Sequence, residues 1–137
     1  MNTFRAAACL ALALAPLAAG AASPFDGYWM RVNADKSLDP ASQVEFRVEK
    51  AFVIMNTPQG ASYRARADGT DAPMANNPNT TSVSVKLEGK TLVQTEKNNG
   101  KAWYVTTMEL EGDGNTAKVS WKNLKNNQGG SYTLSKQ

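Results

Sequence analysis

Residues 82–110 read SVSVKLEGKTLVQTEKNNGKAWYVTTMEL. Ser82-Val83-Ser84-Val85-Lys86-Leu87 alternates polar and apolar, then meets Glu88-Gly89-Lys90. A second run ends at Asn98-Asn99-Gly100-Lys101, and the longest run of the chain follows. Period-two alternation puts one set of side chains on a buried face and the other in water. Asn-Gly accepts positive φ at two successive residues, the backbone of a tight hairpin. The stretch therefore predicts three antiparallel strands joined by two hairpins.

The same grammar extends in both directions. Glu45-Phe46-Arg47-Val48-Glu49, Lys118-Val119-Ser120-Trp121-Lys122 and Ser131-Tyr132-Thr133-Leu134-Ser135 alternate. Turn signals recur at Pro58-Gln59-Gly60, Asp68-Gly69-Thr70, Gly112-Asp113-Gly114-Asn115 and Asn126-Asn127-Gln128-Gly129-Gly130. The expected strands cover 27–33, 43–49, 51–57, 61–67, 82–88, 91–97, 102–111, 116–123 and 130–136. Ala51-Phe52-Val53-Ile54-Met55 is continuously apolar, so both of its faces are expected to be covered. Residues 102–111 slip in phase, with Trp103 and Val105 inward before Thr106-Thr107 and Met108 and Leu110 after it, so a β-bulge is expected there. Asn33–Leu38 is expected to form one short helical turn before Pro40, and residues 71–80 an irregular loop that is either a rim over a cavity or slack. The fold class is all-β: an antiparallel up-and-down meander of about 8–10 strands closing into a barrel, which leaves no exposed edge. A sandwich is the alternative.

Before this domain stands MNTFRAAACLALALAPLAAGAAS, with Arg5 ahead of an apolar run and small residues after it. The run is shorter than the ~20 residues a spanning helix needs. Residues 1–22 are read as a secretory signal peptide and 23–137 as a single domain, exported to a periplasmic or extracellular space. The signal takes with it the single cysteine and one basic residue, leaving 14 of the 15 Lys+Arg against 12 Asp+Glu. Basic and acidic residues alternate along the domain, so no nucleic-acid partner is expected, and the shortness of the apolar run means that no membrane span is expected either.

The chain has no histidine. That excludes Ser-His-Asp and Cys-His nucleophile systems and His-based metal sites. The glutamates at 45, 49, 109 and 111 fall at exposed strand positions and show no pairing across a cleft. No catalytic residue, no metal and no cofactor are expected, and the chain is read as a non-enzyme.

Two features point beyond the fold class. Phe25-Asp26-Gly27-Tyr28-Trp29 opens the first strand. Its Gly27-x-Trp29 step resembles the motif that opens lipocalins and their calycin relatives, in which a glycine and a base-plugging tryptophan are structural and a basic residue late in the last strand stacks on the tryptophan; here that is Lys136. Where lipocalins carry Thr-Asp-Tyr, this chain has Thr70-Asp71-Ala72, and it has no room for their C-terminal helix. The layout with Gly27, Trp29, Lys36 and Ser37 also resembles a family of small secreted bacterial proteins. That resemblance implies a lipocalin-like β-barrel and brings no activity with it.

The second feature is aromatic residues of inward phase. Phe46, Tyr63, Trp103, Trp121 and Tyr132 either line a ligand cavity or fill the barrel. Arg31 shares the phase of Trp29 and is the best inward cation for an anionic group, whereas Arg64 and Arg66 oppose Tyr63. The expected function is binding of a small apolar or amphipathic ligand, with Arg31 and these five aromatics as its contacts. The alternative is a solid barrel acting as a cell-envelope protein-interaction or inhibitor module.

Overall fold

The structure, a computed structural model, describes residues 22–137; the expected signal peptide therefore lies, but for Ala22, outside the described residues. Ten strands run β1 Gly27–Val32, β2 Leu38–Glu49, β3 Phe52–Asn56, β4 Ser62–Arg66, β5 Ala72–Pro73, β6 Ser82–Glu88, β7 Thr91–Asn98, β8 Lys101–Leu110, β9 Thr116–Asn123 and β10 Gln128–Lys136. They form one antiparallel sheet in the order β4-β3-β2-β1-β10-β9-β8-β7-β6-β5. Each strand pairs with its sequence neighbour except at two places. The first strand pairs with the last, Trp29 opposite Lys136 and Arg31 opposite Leu134. Between β4 and β6 the ladder is replaced by scattered bonds: a bridge between Ser62 and Ala75, another between Asp68 and Lys86, and Leu87 N donating to Ala67 O. The result is a barrel closed on all sides but for this one seam. No helix of the described residues is long and apolar enough to cross a membrane.

Alternation does what the sequence demands. Val53, Met55, Tyr63, Ala65, Val83, Val85, Leu92, Met108, Leu110, Ala117, Val119 and Leu134 are buried, and the polar residues between them face out. The hairpin at 98–101 uses the primed turn, with positive φ at both Asn99 (50°) and Gly100 (83°).

Four local expectations are corrected. Residues 33–37 are a tight turn, not a helical one, and β2 starts at Leu38, running through Pro40 with extra residues bulged between Asp39 and Val44. Pro40 is tolerated because the bulge takes it out of the ladder; Ser42 fills in, its Oγ accepting from Arg31 N at 2.7 Å and donating to Asp39 O at 2.6 Å. The bulge of β8 lies not at Thr106-Thr107 but at Trp103, the extra residue opposite Glu96 and Lys97. With Tyr104 rather than Trp103 inward, Tyr104, Thr106, Met108 and Leu110 keep one phase and no slip is needed. Only one face of β3 is buried. On the other, Phe52 is covered by guanidinium groups, Arg64 at 3.7 Å and Arg66 at 5.6 Å from its ring centre. Finally, the 71–80 loop contains a two-residue strand, too short for any periodicity to reveal.

The base is closed by Trp29. Its indole is completely buried beside Phe25, and Nε1 donates to Phe25 O at 2.9 Å. Lys136 lies over the ring at 5.1 Å and donates its Nζ to Pro24 O at 2.7 Å. Gly27 has φ of 129°, a conformation L side chains rarely adopt; the nearest neighbour of an added Cβ would be Lys136 at an ordinary 3.6 Å. Its requirement is conformational, not one of crowding. Trp29→Ala should cost about 3–5 kcal/mol in chemical denaturation, the range for emptying a buried aromatic site.

Candidate functional site

The end opposite Trp29 is not filled. A cavity of about 520 Å3 lies between the walls. Its floor and lower walls are apolar, from Phe46, Met55, Leu92, Met108, Val119 and Leu134. Higher up it is lined by Arg31, Ser42, Thr57, Gln94, Tyr104, Thr106, Trp121 and Tyr132. Each element contributes through its inward phase: β1 by Arg31, two residues beyond Trp29; β7 by Gln94, two beyond Leu92; β8 by Tyr104 and Thr106; β10 by Tyr132.

Among the described residues the polar lining is left with free hydrogen-bonding capacity. Gln94 Oε1 accepts from the Tyr63 hydroxyl at 2.7 Å, while the Gln94 amide nitrogen has no protein acceptor. Arg31 forms no ion pair; its guanidinium lies over the Tyr132 ring at 4.8 Å. Burial raises the Tyr132 hydroxyl above its ordinary range, and the Arg31 charge opposes that. No carboxylate lines the cavity. The site therefore offers one cation, several neutral donors and an apolar floor.

The aromatics at the rim are organised. Tyr104 stacks on Trp121, with ring centres 5.8 Å apart and planes 11° off parallel. Trp121 in turn lies against Gly130, its register partner on β10. A Cβ at Gly130 would come within 3.0 Å of the indole. Gly130 is therefore the floor on which Trp121 rests, and the Gly-Gly pair expected as a turn is part of β10.

Of the six residues expected at a binding site, the cavity brings together Arg31, Phe46, Trp121 and Tyr132. Tyr63 is buried on the inward face of β4, outside the cavity lining, and touches that lining through its bond to Gln94; burial, reinforced by the nearby Glu96 charge, drives its hydroxyl far above the ordinary range. Trp103 is in a separate hollow of about 480 Å3 with Asn98, Asn99, Lys101, Leu124 and Lys125. Sequence reasoning missed Tyr104, Thr106 and Gln94. Counting back by twos from Leu110 would have found the first two, and forward by two from Leu92 the third.

The 71–80 loop is neither slack nor part of the cavity wall. Thr80 is buried, donating to Glu96 Oε1 at 2.9 Å and accepting from Trp103 Nε1 at 3.1 Å. Asn77 Nδ2 adds a bond to the same Glu96 oxygen at 3.3 Å. One buried carboxylate thus fastens the loop and, through Thr80, the indole of Trp103.

No family model, curated protein or solved structure matches this chain.

Two outcomes follow from this geometry. Gly130→Ala should displace Trp121 and change the near-ultraviolet circular dichroism while the fold persists. Burial raises the Glu96 carboxyl above its ordinary 4.5, although its bonds from Thr80 and Asn77 pull the other way. The folded chain then holds this proton more tightly than the unfolded one, so the carboxyl's contribution to stability is fully present below 4.5 and is lost as pH rises through the folded value. Glu96→Gln should remove that dependence: the parent's stability relative to the variant, from denaturation at a series of pH values, should fall as pH rises through this range.

Proposed function

We propose that this chain is a non-enzymatic binding barrel that takes one small amphipathic molecule, its apolar body in the cavity and an anionic group at Arg31. The observation that carries the reading is the unfilled volume. At about 520 Å3 it falls within the ~300–1,000 Å3 of small-molecule pockets, whereas a barrel stabilised by its own side chains alone would fill it. Apolar side chains deep in the cavity suit a hydrocarbon or ring system. Arg31, free of any carboxylate partner, suits a carboxylate, sulfonate or phosphate at the entrance. Gln94, Tyr104 and Tyr132 add neutral hydrogen bonds that fix orientation.

Kinship with lipocalin-like barrels is part of the same proposal. It is supported by the meander, by Gly27-x-Trp29 at the head of β1, and by Lys136 lying over Trp29. Export, as the N-terminal sequence suggests, would put the carrier outside the cytoplasm. The cavity favours this reading over the solid-barrel alternative, a protein-interaction or inhibitor module.

Titration with an environment-sensitive apolar fluorophore, followed by displacement with fatty acids, aromatic carboxylates and their neutral esters, tests the proposal. One saturable site per chain is expected. Arg31→Leu should weaken the anionic competitors by about tenfold, the value of a lost charge-assisted bond, and leave the neutral esters unchanged. Leu92→Trp, which fills the floor, should abolish binding of both. A folded protein that binds none of these probes sinks the reading.

A further inference from the structure

The barrel is polar along its axis. At the cavity end lie the turns β1–β2, β3–β4, β7–β8 and β9–β10 and the connection from β5 to β6. The charged residues in these connections and on their flanking strand positions are Lys36, Lys101 and Lys125 against Asp35. Asp35 is bonded within its own turn, accepting from the Ser37 hydroxyl at 2.6 Å. At the opposite end the hairpin tips β2–β3, β6–β7 and β8–β9 carry Glu49, Glu88, Glu111 and Asp113 against Lys50 and Lys90. The cavity end is thus net positive and the Trp29 end net negative, in a chain whose overall charge is small.

Apolar exposure follows the same axis. Among the described residues three large apolar ones are well exposed: Leu38 (38%), Leu124 (44%) and Tyr28 (48%). Both leucines are at the cavity end. Leu124 begins the β9–β10 turn, beside the hollow that holds Trp103, Lys101 and Lys125. Lys125 Nζ is 5.1 Å from the Trp103 ring centre, and neither lysine has an acidic partner among the described residues. The Trp103 N–H is already satisfied by Thr80, which leaves the half-buried ring as an apolar surface next to two cations.

We propose that the cavity end of the barrel docks on an anionic lipid surface. Exposed leucines at this end, a half-buried tryptophan beside one of them and lysines whose long stems let their charges stay at headgroup level match the layering of a bilayer interface: acyl boundary, aromatic belt, anionic headgroups. An acidic protein partner would be met by the same charges; the two exposed leucines at this end favour a lipid surface, whose acyl boundary takes them up. The docking also places the entrance of the cavity, with Arg31 at its rim, against the membrane. It stands on charge and exposure alone and holds whether or not the cavity binds a ligand.

Co-sedimentation of the full chain with vesicles of phosphatidylglycerol in phosphatidylcholine, and with pure phosphatidylcholine, tests it. Lys101→Glu/Lys125→Glu is compared with Lys50→Glu/Lys90→Glu, which makes the same change of net charge at the other end. The N-terminal residues are common to all proteins and cancel in the comparison. The first pair should lower partition onto anionic vesicles by about tenfold or more, from the loss of lysines near a charged surface. The second should stay within about twofold, a bound set by the short reach of screened charges. Should the first pair not melt cooperatively, Lys101→Gln/Lys125→Gln replaces it, with a smaller loss in the same direction. Equal effects from the two ends, or no preference of the parent for anionic vesicles, would overturn the proposal. Fluorophore binding in vesicle-free solution should be the same in both pairs, so failure of docking and failure of the cavity reading are told apart.

Discussion

The antiparallel pairing of β1 with β10 is the constraint on which the rest of this molecule depends. Without it the chain is two meanders, β1 to β4 and β5 to β10, each with free edges. With it, Trp29 and Lys136 come into register, the base acquires its plug, and Arg31 and Tyr132 are carried to the same stretch of wall. The cation-π contact at the base and the one at the entrance are two consequences of one ladder, a few residues apart along the same pair of strands. No disulfide supports it, since the only cysteine is Cys9. Closure rests on hydrogen bonds and burial alone.

Why the cavity exists at all follows from side-chain size along each strand. Near the base the inward positions hold Trp29, Val53, Ala65, Val85, Leu110 and Ala117, a set of mixed volumes that interlocks completely. Toward the other end the inward positions turn to Arg31, Thr57, Gln94 and Thr106. These are polar, and a polar group left in a dry core without a partner is costly. They hold the wall open to water or to a molecule that can satisfy them. The change from packing residues to hydrogen-bonding residues along β1, β7 and β8 draws the boundary between scaffold and site.

Much of this could be read from the sequence where the signal is local. Asn99-Gly100 and the alternation of residues 82–87 determine their hairpin and strands on their own. The inward phase of Arg31 follows from Trp29 by simple counting. What could not be read depended on partners distant in sequence. The bulge at Trp103 is set by its register against Lys97, and apolarity alone misplaces the slip at Thr106-Thr107, because the wall here is lined by Tyr104 and Thr106. Pro40 inside β2 defeats any rule based on propensity, because the bulge that accommodates it exists only opposite β1. The bond from Trp103 to Thr80 joins residues 23 positions apart, and nothing in either one's neighbourhood announces it.

The β1–β10 ladder has a further consequence in time. A chain emerging from its N-terminus makes β1 among the first residues of the domain and its second partner among the last. Until β10 arrives, β1 presents a bare edge with Trp29 unplugged, able to pair with whatever extended segment is nearby. Each hairpin can form within microseconds, but the step that makes a barrel must wait for the longest loop closure in the molecule. The interval between synthesis and closure is therefore the period in which this chain is most open to wrong partners.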